Sequence, residues 1–328
     1  MKKPGIIFIA LLALLAACGN QGPDVYIVGS YGTGEIGKAC YWLNGVRTEL
    51  PGGTWAQAIT MADGKIHIVG YSGKNWQDSS RTACYWIDGV KTDLPGPEGS
   101  VATSIVVANG KTYIAGSYRH KDGQLVELCY WVDGKVNHTN ITTALPKIAV
   151  LDGRLYITGI IGGRRQPRYW VDGVIKEIGA HRDEGLVRAI TVSGGKVYMA
   201  GVGFNGSSNE AQACYWVDGQ RKELSGGQAI SIAVLDGKVY IAGIYDRDIN
   251  SAQPDYQACY WVDGQRKELS GNGATSITVS GGKVYIAGMY KTDNDGRQQA
   301  CYWVDGQRKD LPDGSFASGI LLIEKEQK

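Results

Sequence analysis

Phenylalanine is nearly missing from this 328-residue chain, with 3 copies, and histidine is scarce, with 4. There is no His-Glu-x-x-His pair, no Gly-x-Ser-x-Gly elbow and no glycine-rich phosphate loop, so the common zinc, serine-nucleophile and nucleotide chemistries lack their spacing. The Ser-x-Asp-x-Gly-x-x-Trp box of propeller sialidases is absent as well. Charge of one sign is also missing. Lys and Arg number 34 against 32 Asp and Glu, which gives no electrostatic reason to expect nucleic acid or a polybasic membrane contact. No Gly-X-Y period runs through the 47 glycines, which excludes collagen, and a 43% hydrophobic content excludes disorder. Beyond residue 17 there is no long apolar run and no window with the 3.6-residue apolar period of a helix.

The apolar run that does exist is at the start. Lys2 and Lys3 precede Ile6 to Leu15, a segment of about ten apolar residues, which falls short of the about 20 a spanning helix needs. It ends in Leu15-Ala16-Ala17-Cys18, which resembles the bacterial lipoprotein signal. That resemblance implies cleavage after Ala17 and acylation of Cys18, and several acyl chains anchor stably where one does not. The expected organisation is therefore a signal peptide over 1–17, a lipidated tether over 18–23 and a folded body over 24–328. Gly19 rather than Asp after the lipidated cysteine favours the outer membrane. Removing Lys2 and Lys3 with the leader leaves 32 basic against 32 acidic residues, so the exported body is formally neutral.

One unit then repeats. Tyr-Trp pairs place Trp at 42, 86, 131, 170, 216, 261 and 303, at spacings of 39 to 46 residues. Aligned copies contain four short segments rich in β-branched and aromatic residues: strand A (as Ile230 to Val234), B (Val239 to Gly243), C (Ala213 to Val217) and D (Arg221 to Leu224). Asp-Gly, Asn-Gly or Gly-Gly links A to B, and Asp-Gly or Asn-Gly links C to D, the dipeptides of tight hairpins. Four antiparallel strands repeated seven times predict an all-β, seven-bladed β-propeller. The body opens on an unpaired B segment, Val25 to Ser30, and closes on an unpaired A segment, Ala317 to Ile323. Pairing the two completes the seventh blade and closes the ring without exposed edges.

The hairpin Leu235 to Gly243 is similar to the kelch repeat, without the second glycine of the kelch pair, and Trp-Val-Asp-Gly echoes the WD40 dipeptide without its Gly-His partner. More closely, the chain resembles the repeat-bearing lipoproteins of anaerobic Bacteroidota and spirochaetes. Cys-Tyr-Trp, the core of their unit, stands in six of the seven copies here, and the fourth has Arg168 in place of cysteine. The resemblance implies an envelope propeller and carries no activity.

Alternation in strand C sets Cys214 and Trp216 on one face and Ala213, Tyr215 and Val217 on the other. Both faces are apolar, as blades packed between two neighbours require. The seven Trp are expected in the core, and Cys40, Cys84, Cys129, Cys214, Cys259 and Cys301 are expected as buried free thiols, because packed sheets stand about 10 Å apart, too far for a disulfide.

Function should lie where copies differ, in the B–C and D–A loops of one face. Two tryptophans fall outside the repeat, Trp55 in a D–A loop and Trp76 in a B–C loop, and Phe316 aligns with Trp55 one blade away. The three are expected to share one sector, suited to stacking on a sugar ring or to a protein hot spot. Arg188 should face inward at the start of its strand A, and with Arg119, His120, Arg164 and Arg165 it could form an anion-attracting rim. Asp246, Asp248, Asp293 and Asp295 resemble fragments of calcium loops with too few oxygen ligands, so no metal, cofactor or catalytic residue is assigned. The reading is an envelope-anchored module binding a protein or glycan. The alternative is a glycan-active hydrolase or lyase with residues scattered over several blades, recognisable by carboxylates converging at the channel mouth.

Overall fold

The structure is a computed structural model and describes residues 22–32, 37–73, 80–120, 126–161, 166–179, 184–204, 211–247, 255–292 and 296–325. Among these residues there is no helix. Twenty-eight strands form seven antiparallel sheets of four, each ordered A-B-C-D. Blade 1 is built from both chain ends: strand A is Gly314–Ile323, B is Asp24–Tyr31, C is Lys38–Leu43 and D is Val46–Glu49. Blades 2 to 7 follow in chain order. Asp24 pairs with Ile323 and Ile27 with Ile320, so the two orphan segments close the ring as the repeat arithmetic predicts.

Each C–D turn does more than supply the backbone shape that Asp-Gly tolerates. Asp218 (φ 48°) and Gly219 (φ 85°) both adopt the left-handed region that a tight type I′ hairpin needs. The Asp218 carboxylate then accepts the N–H of Val197 at 3.1 Å, tying the C–D turn back to the start of strand B. The same bond recurs from Asn44 to Val25, Asp88 to Ile66, Asp133 to Thr112, Asp172 to Leu155, Asp263 to Val239 and Asp305 to Val284. This explains why the first turn residue is Asp or Asn in every C–D link, whereas Gly-Gly also serves at A–B links.

The core is seven interblade layers. Between blades 5 and 6, Ala213, Tyr215 and Leu224 meet Ile241, Cys259 and Trp261. Between blades 7 and 1, Ala300, Tyr302 and Leu311 meet Ile27, Cys40 and Trp42, so the closing interface is packed like the others. In five of the seven interfaces the Cys-Trp face of a strand C thus looks onto the alanine face of the preceding blade; in the two that involve blade 4, Trp170 meets Leu128, and Cys214 and Trp216 meet Tyr169 and Ile178. No cysteine faces another, and all six cysteines of the ring are buried free thiols. Five of the seven core tryptophans also reach the D–A connector entering their own blade, whereas Trp216 Nε1 is buried without a hydrogen-bond partner. The Nε1 of Trp42, Trp86 and Trp131 donates to the carbonyls of Pro312, Pro51 and Pro95, and in Trp261 to Ser225 Oγ.

One expectation needs correcting. Outside blade 4, whose strand B Arg154–Thr158 stops before Gly159, the glycine after the strand-B apolar run does not end the strand: strand B of blade 6 runs Lys238–Asp246, three residues past Gly243. Its role lies in the partner strand. Strand A carries a β-bulge opposite it, between Ala229 and Ser231 in blade 6. The bulge brings the Gln228 carbonyl so close to Gly243 that a Cβ there would lie 2.0 Å from it. Gly29, Gly70, Gly201 and Gly288 meet the equivalent carbonyl at 1.9 to 2.0 Å. The glycine is the imprint of the bulge.

Candidate functional site

The innermost strands of all seven blades surround one axial cavity of about 260 Å³. Blade by blade, the bulge explains what faces it. The extra residue of each bulged strand A is Ser318, Gln57, Thr103, Arg188, Ile230 or Thr275. All six line the cavity. A bulge re-aims a side chain, and repetition round the ring converts a backbone irregularity into a collar of functional-group positions. Blade 4 departs from the pattern. Its strand A is only Lys147–Leu151, without a bulge, and Lys147 at its start enters the same lining. A second space of about 140 Å³ continues along the axis and shares Gln57, Lys147, Ile230, Thr275 and Ser318 with the first.

The mouth is aromatic and apolar. Trp55 and Phe316, each two residues before its bulge residue, meet with ring centroids 4.8 Å apart and planes tilted 58°. Trp55 Nε1 donates to Ser318 Oγ at 2.7 Å, which fixes the indole across the boundary of blades 1 and 2. Ile160 and Leu145 complete the wall. Leu145 is unusual: among the described residues with positive φ it is the one that is neither glycine, Asp nor Asn, and its side chain is 58% exposed. A left-handed leucine costs about 1–2 kcal/mol, so the fold holds an apolar side chain in a strained pose at the cavity.

Polar groups deeper in are mostly committed. Thr103 Oγ1 donates to the Pro146 carbonyl at 2.6 Å and Thr275 Oγ1 to the Ala317 carbonyl at 2.6 Å, each bridging to the next blade. The two cations are less well served. Lys147 Nζ has the Thr103 carbonyl at 3.3 Å, and burial pushes its pKa down to about 8. Burial also lowers the Arg188 pKa, though a guanidinium stays charged, and its Nε has no hydrogen-bond partner. Among the described residues no carboxylate pairs with either, and no Asp, Glu, His or Cys lines either cavity.

The sequence-predicted residues divide accordingly. Trp55, Phe316 and Arg188 come together at the axis. Trp76, Arg164, Arg165 and Cys18 lie outside the described residues, as do Asp248, Asp293, Asp295 and the tips of the B–C loops. Arg119 and His120 stand at the B–C edge of blade 3, away from the cavity lining. There His120 Nε2 lies 3.3 Å from Glu127 Oε1, while Tyr118 donates to Glu127 Oε2 at 2.5 Å. The Tyr118 hydroxyl first, and His120 after it, hold the Glu127 carboxyl below its usual range. No group of three metal-ligating side chains occurs among the described residues. Lys147 and Leu145 do not stand out in the sequence: Ile148 to Gly153 matches Ile232 to Gly237, which puts Lys147 in the column of Ser231, one past the bulge residue, and only the missing bulge of blade 4 brings it to the cavity.

Comparison with known proteins adds the architecture and little more. No family model matches the chain, and no curated protein matches it. Among solved structures, a puromycin-hydrolyzing peptidase of Mycobacterium tuberculosis aligns over 87% of this chain and 53% of its own, with a TM-score of 0.55 and 12% identity. An acylaminoacyl peptidase of Pyrococcus horikoshii aligns over 88% and 50%, with a TM-score of 0.53 and 13% identity. An acylaminoacyl peptidase in complex with Z-Gly-Gly-Phe-chloromethyl ketone aligns over 90% and 51%, at 0.55 and 12%. The chain spans about half the length of these proteins, and at such identities the likeness is one of fold. The protein is a seven-bladed β-propeller.

Proposed function

We propose that this propeller is a binding module, held at the cell envelope through acylated Cys18, whose ligand enters the axial cavity from the face where strands A begin. The observation that carries the reading is the Trp55–Phe316 pair, contributed by two blades and set over a cavity that all seven blades line. Aromatic planes in a recess suit stacking on a sugar ring. A cavity of about 260 Å³ is below the roughly 300 Å³ at which pockets for drug-sized ligands begin, so the occupant is one ring, or the end of a chain, and a glycan fits better than a broad protein surface. Glycoside hydrolysis uses paired carboxylates, and the described lining supplies none, which supports binding over turnover.

The test is a glycan array followed by titration calorimetry on the hits, with Trp55→Ala beside the wild type. Losing a stacking face should weaken binding by about ten-fold, the size of a roughly 1.4 kcal/mol contact, while the variant still melts in one cooperative step, at a temperature lowered by the lost contacts to Phe316 and Ser318. Equal binding by the two proteins would sink the proposal.

A further inference from the structure

Two cations sit in the axial cavity without an anion. Lys147, at the start of the inner strand of blade 4, and Arg188, at the bulge midway along the inner strand of adjacent blade 5, line the same space. Elsewhere on this molecule basic side chains find acids readily: Arg154 with Asp172 at 2.8 Å, Arg168 with Glu177 at 2.9 Å and Arg247 with Asp255 at 2.8 Å. Withdrawing two like charges from bulk water and leaving them unpaired is costly. The Arg188 Nε, a buried donor with no acceptor, adds to that cost. A protein retains such an arrangement where the missing partner arrives from outside. The formal neutrality of the body hides this local imbalance.

The remaining lining says what else that partner carries. Across the ring from the cations, blades 1 and 2 supply the Phe316 and Trp55 rings and the amide-bearing Gln57, while Leu145 and Ile160 of blade 4 add apolar surface beside Lys147. An inorganic anion would leave this apolar wall uncovered, and a plain hydrocarbon acid would leave the Gln57 amide unused. A pyranose offers a flat apolar face and hydroxyls, and a carboxylate on it supplies the charge. We propose that the axial cavity takes an acidic sugar, its carboxylate bound by Lys147 and Arg188 and its ring against Trp55 and Phe316. This rests on the binding reading above and names its ligand class. The acid is either a free hexuronate or the terminal unit of an acidic glycan, which share the chemistry the cavity reads.

Calorimetric titration with D-glucuronate, D-glucose, and disaccharides ending in either sugar tests the assignment. The wild type should bind the acid at least about ten-fold more tightly than its neutral counterpart, as a charge-assisted contact implies, and should lose that margin as salt rises. Arg188→Gln and Lys147→Gln should each reduce the preference for the acid over its neutral counterpart to within about three-fold, and Arg188→Lys, which keeps the charge, should retain most of it. A melting curve on each variant separates binding loss from unfolding. A disaccharide preferred over the free acid identifies a glycan terminus, and the reverse identifies the monosaccharide. If acid and neutral sugars bind alike, the acid assignment falls and the binding module stands. If no sugar binds at all, both fall. If the glutamine variants bind glucuronate like the wild type, the cations are merely structural and the assignment is overturned.

Discussion

At the scale of single residues, Lys147 is the group whose chemistry the fold alters most. Burial lowers its pKa to about 8 from the ordinary 10.5. Between those values the unfolded chain holds a proton that the native protein has released, so stability rises with pH across roughly 8 to 10.5. Below pH 8 both states are protonated and the native state carries the full penalty. Lys147→Met, which keeps the length and drops the charge, should therefore melt at a higher temperature than the wild type at pH 7, with the gap closing as pH approaches 10. A variant no more stable than the wild type at pH 7 would show that channel water already solvates the ammonium. The sequence did not reveal this residue. Arg188 was legible because it stands in the inward column of its repeat, whereas Lys147 stands one position past that column in a strand shortened to five residues, and only the three-dimensional ring puts the two in one space.

At the scale of elements, a blade is held by devices that composition alone counts but does not explain. The Asp-Gly turns were readable from sequence as hairpins; the carboxylate bond from each turn back to strand B was not, because it joins residues about twenty positions apart. Asp218→Asn should be nearly silent, since an amide oxygen accepts the Val197 N–H as Asn44 does for Val25. Asp218→Ala should cost about 1–2 kcal/mol, through the unmet donor and the unfavourable positive φ of alanine. Denaturant titration of the pair measures the difference, and equal midpoints would remove the bond from the account. The strand-B glycine teaches a similar lesson. Its presence is visible in every copy, yet in the six bulged blades its cause lies on the neighbouring strand, where a carbonyl displaced by the bulge occupies the space of a Cβ. A pattern search sees the glycine and cannot see the carbonyl.

At the scale of the whole molecule, the architecture was nearly all legible, from the Trp spacing to the pairing of the two chain ends. That is because seven copies of one weak signal reinforce one another. The site was legible only where it sat on the repeat register, as Trp55, Phe316 and Arg188 do. The same repetition sets the thiol chemistry. Burial pushes Cys129 and Cys259 up to about 12 and raises Cys40, Cys84 and Cys301 as well. A disulfide-exchange reagent at pH 8 should thus find the six ring thiols silent in the folded protein and all reactive once unfolded without reductant. Recovery of fewer than six after unfolding would mean that some pair had oxidised, against the packing seen in every interface.

The closing blade also has a consequence in time. Strand B of blade 1 precedes every other described strand in the chain, and its inner partner, Gly314–Ile323, follows every other. Until Gly314–Ile323 has been synthesised, Asp24–Tyr31 has a free hydrogen-bonding edge and the first blade lacks its axial strand. Loop closure over almost the full chain is the slowest contact to form. The axial cavity, which takes Phe316 and Ser318 from that strand, is therefore complete only once the ring has closed, and a chain cut short before Gly314 loses part of the cavity wall together with its closure.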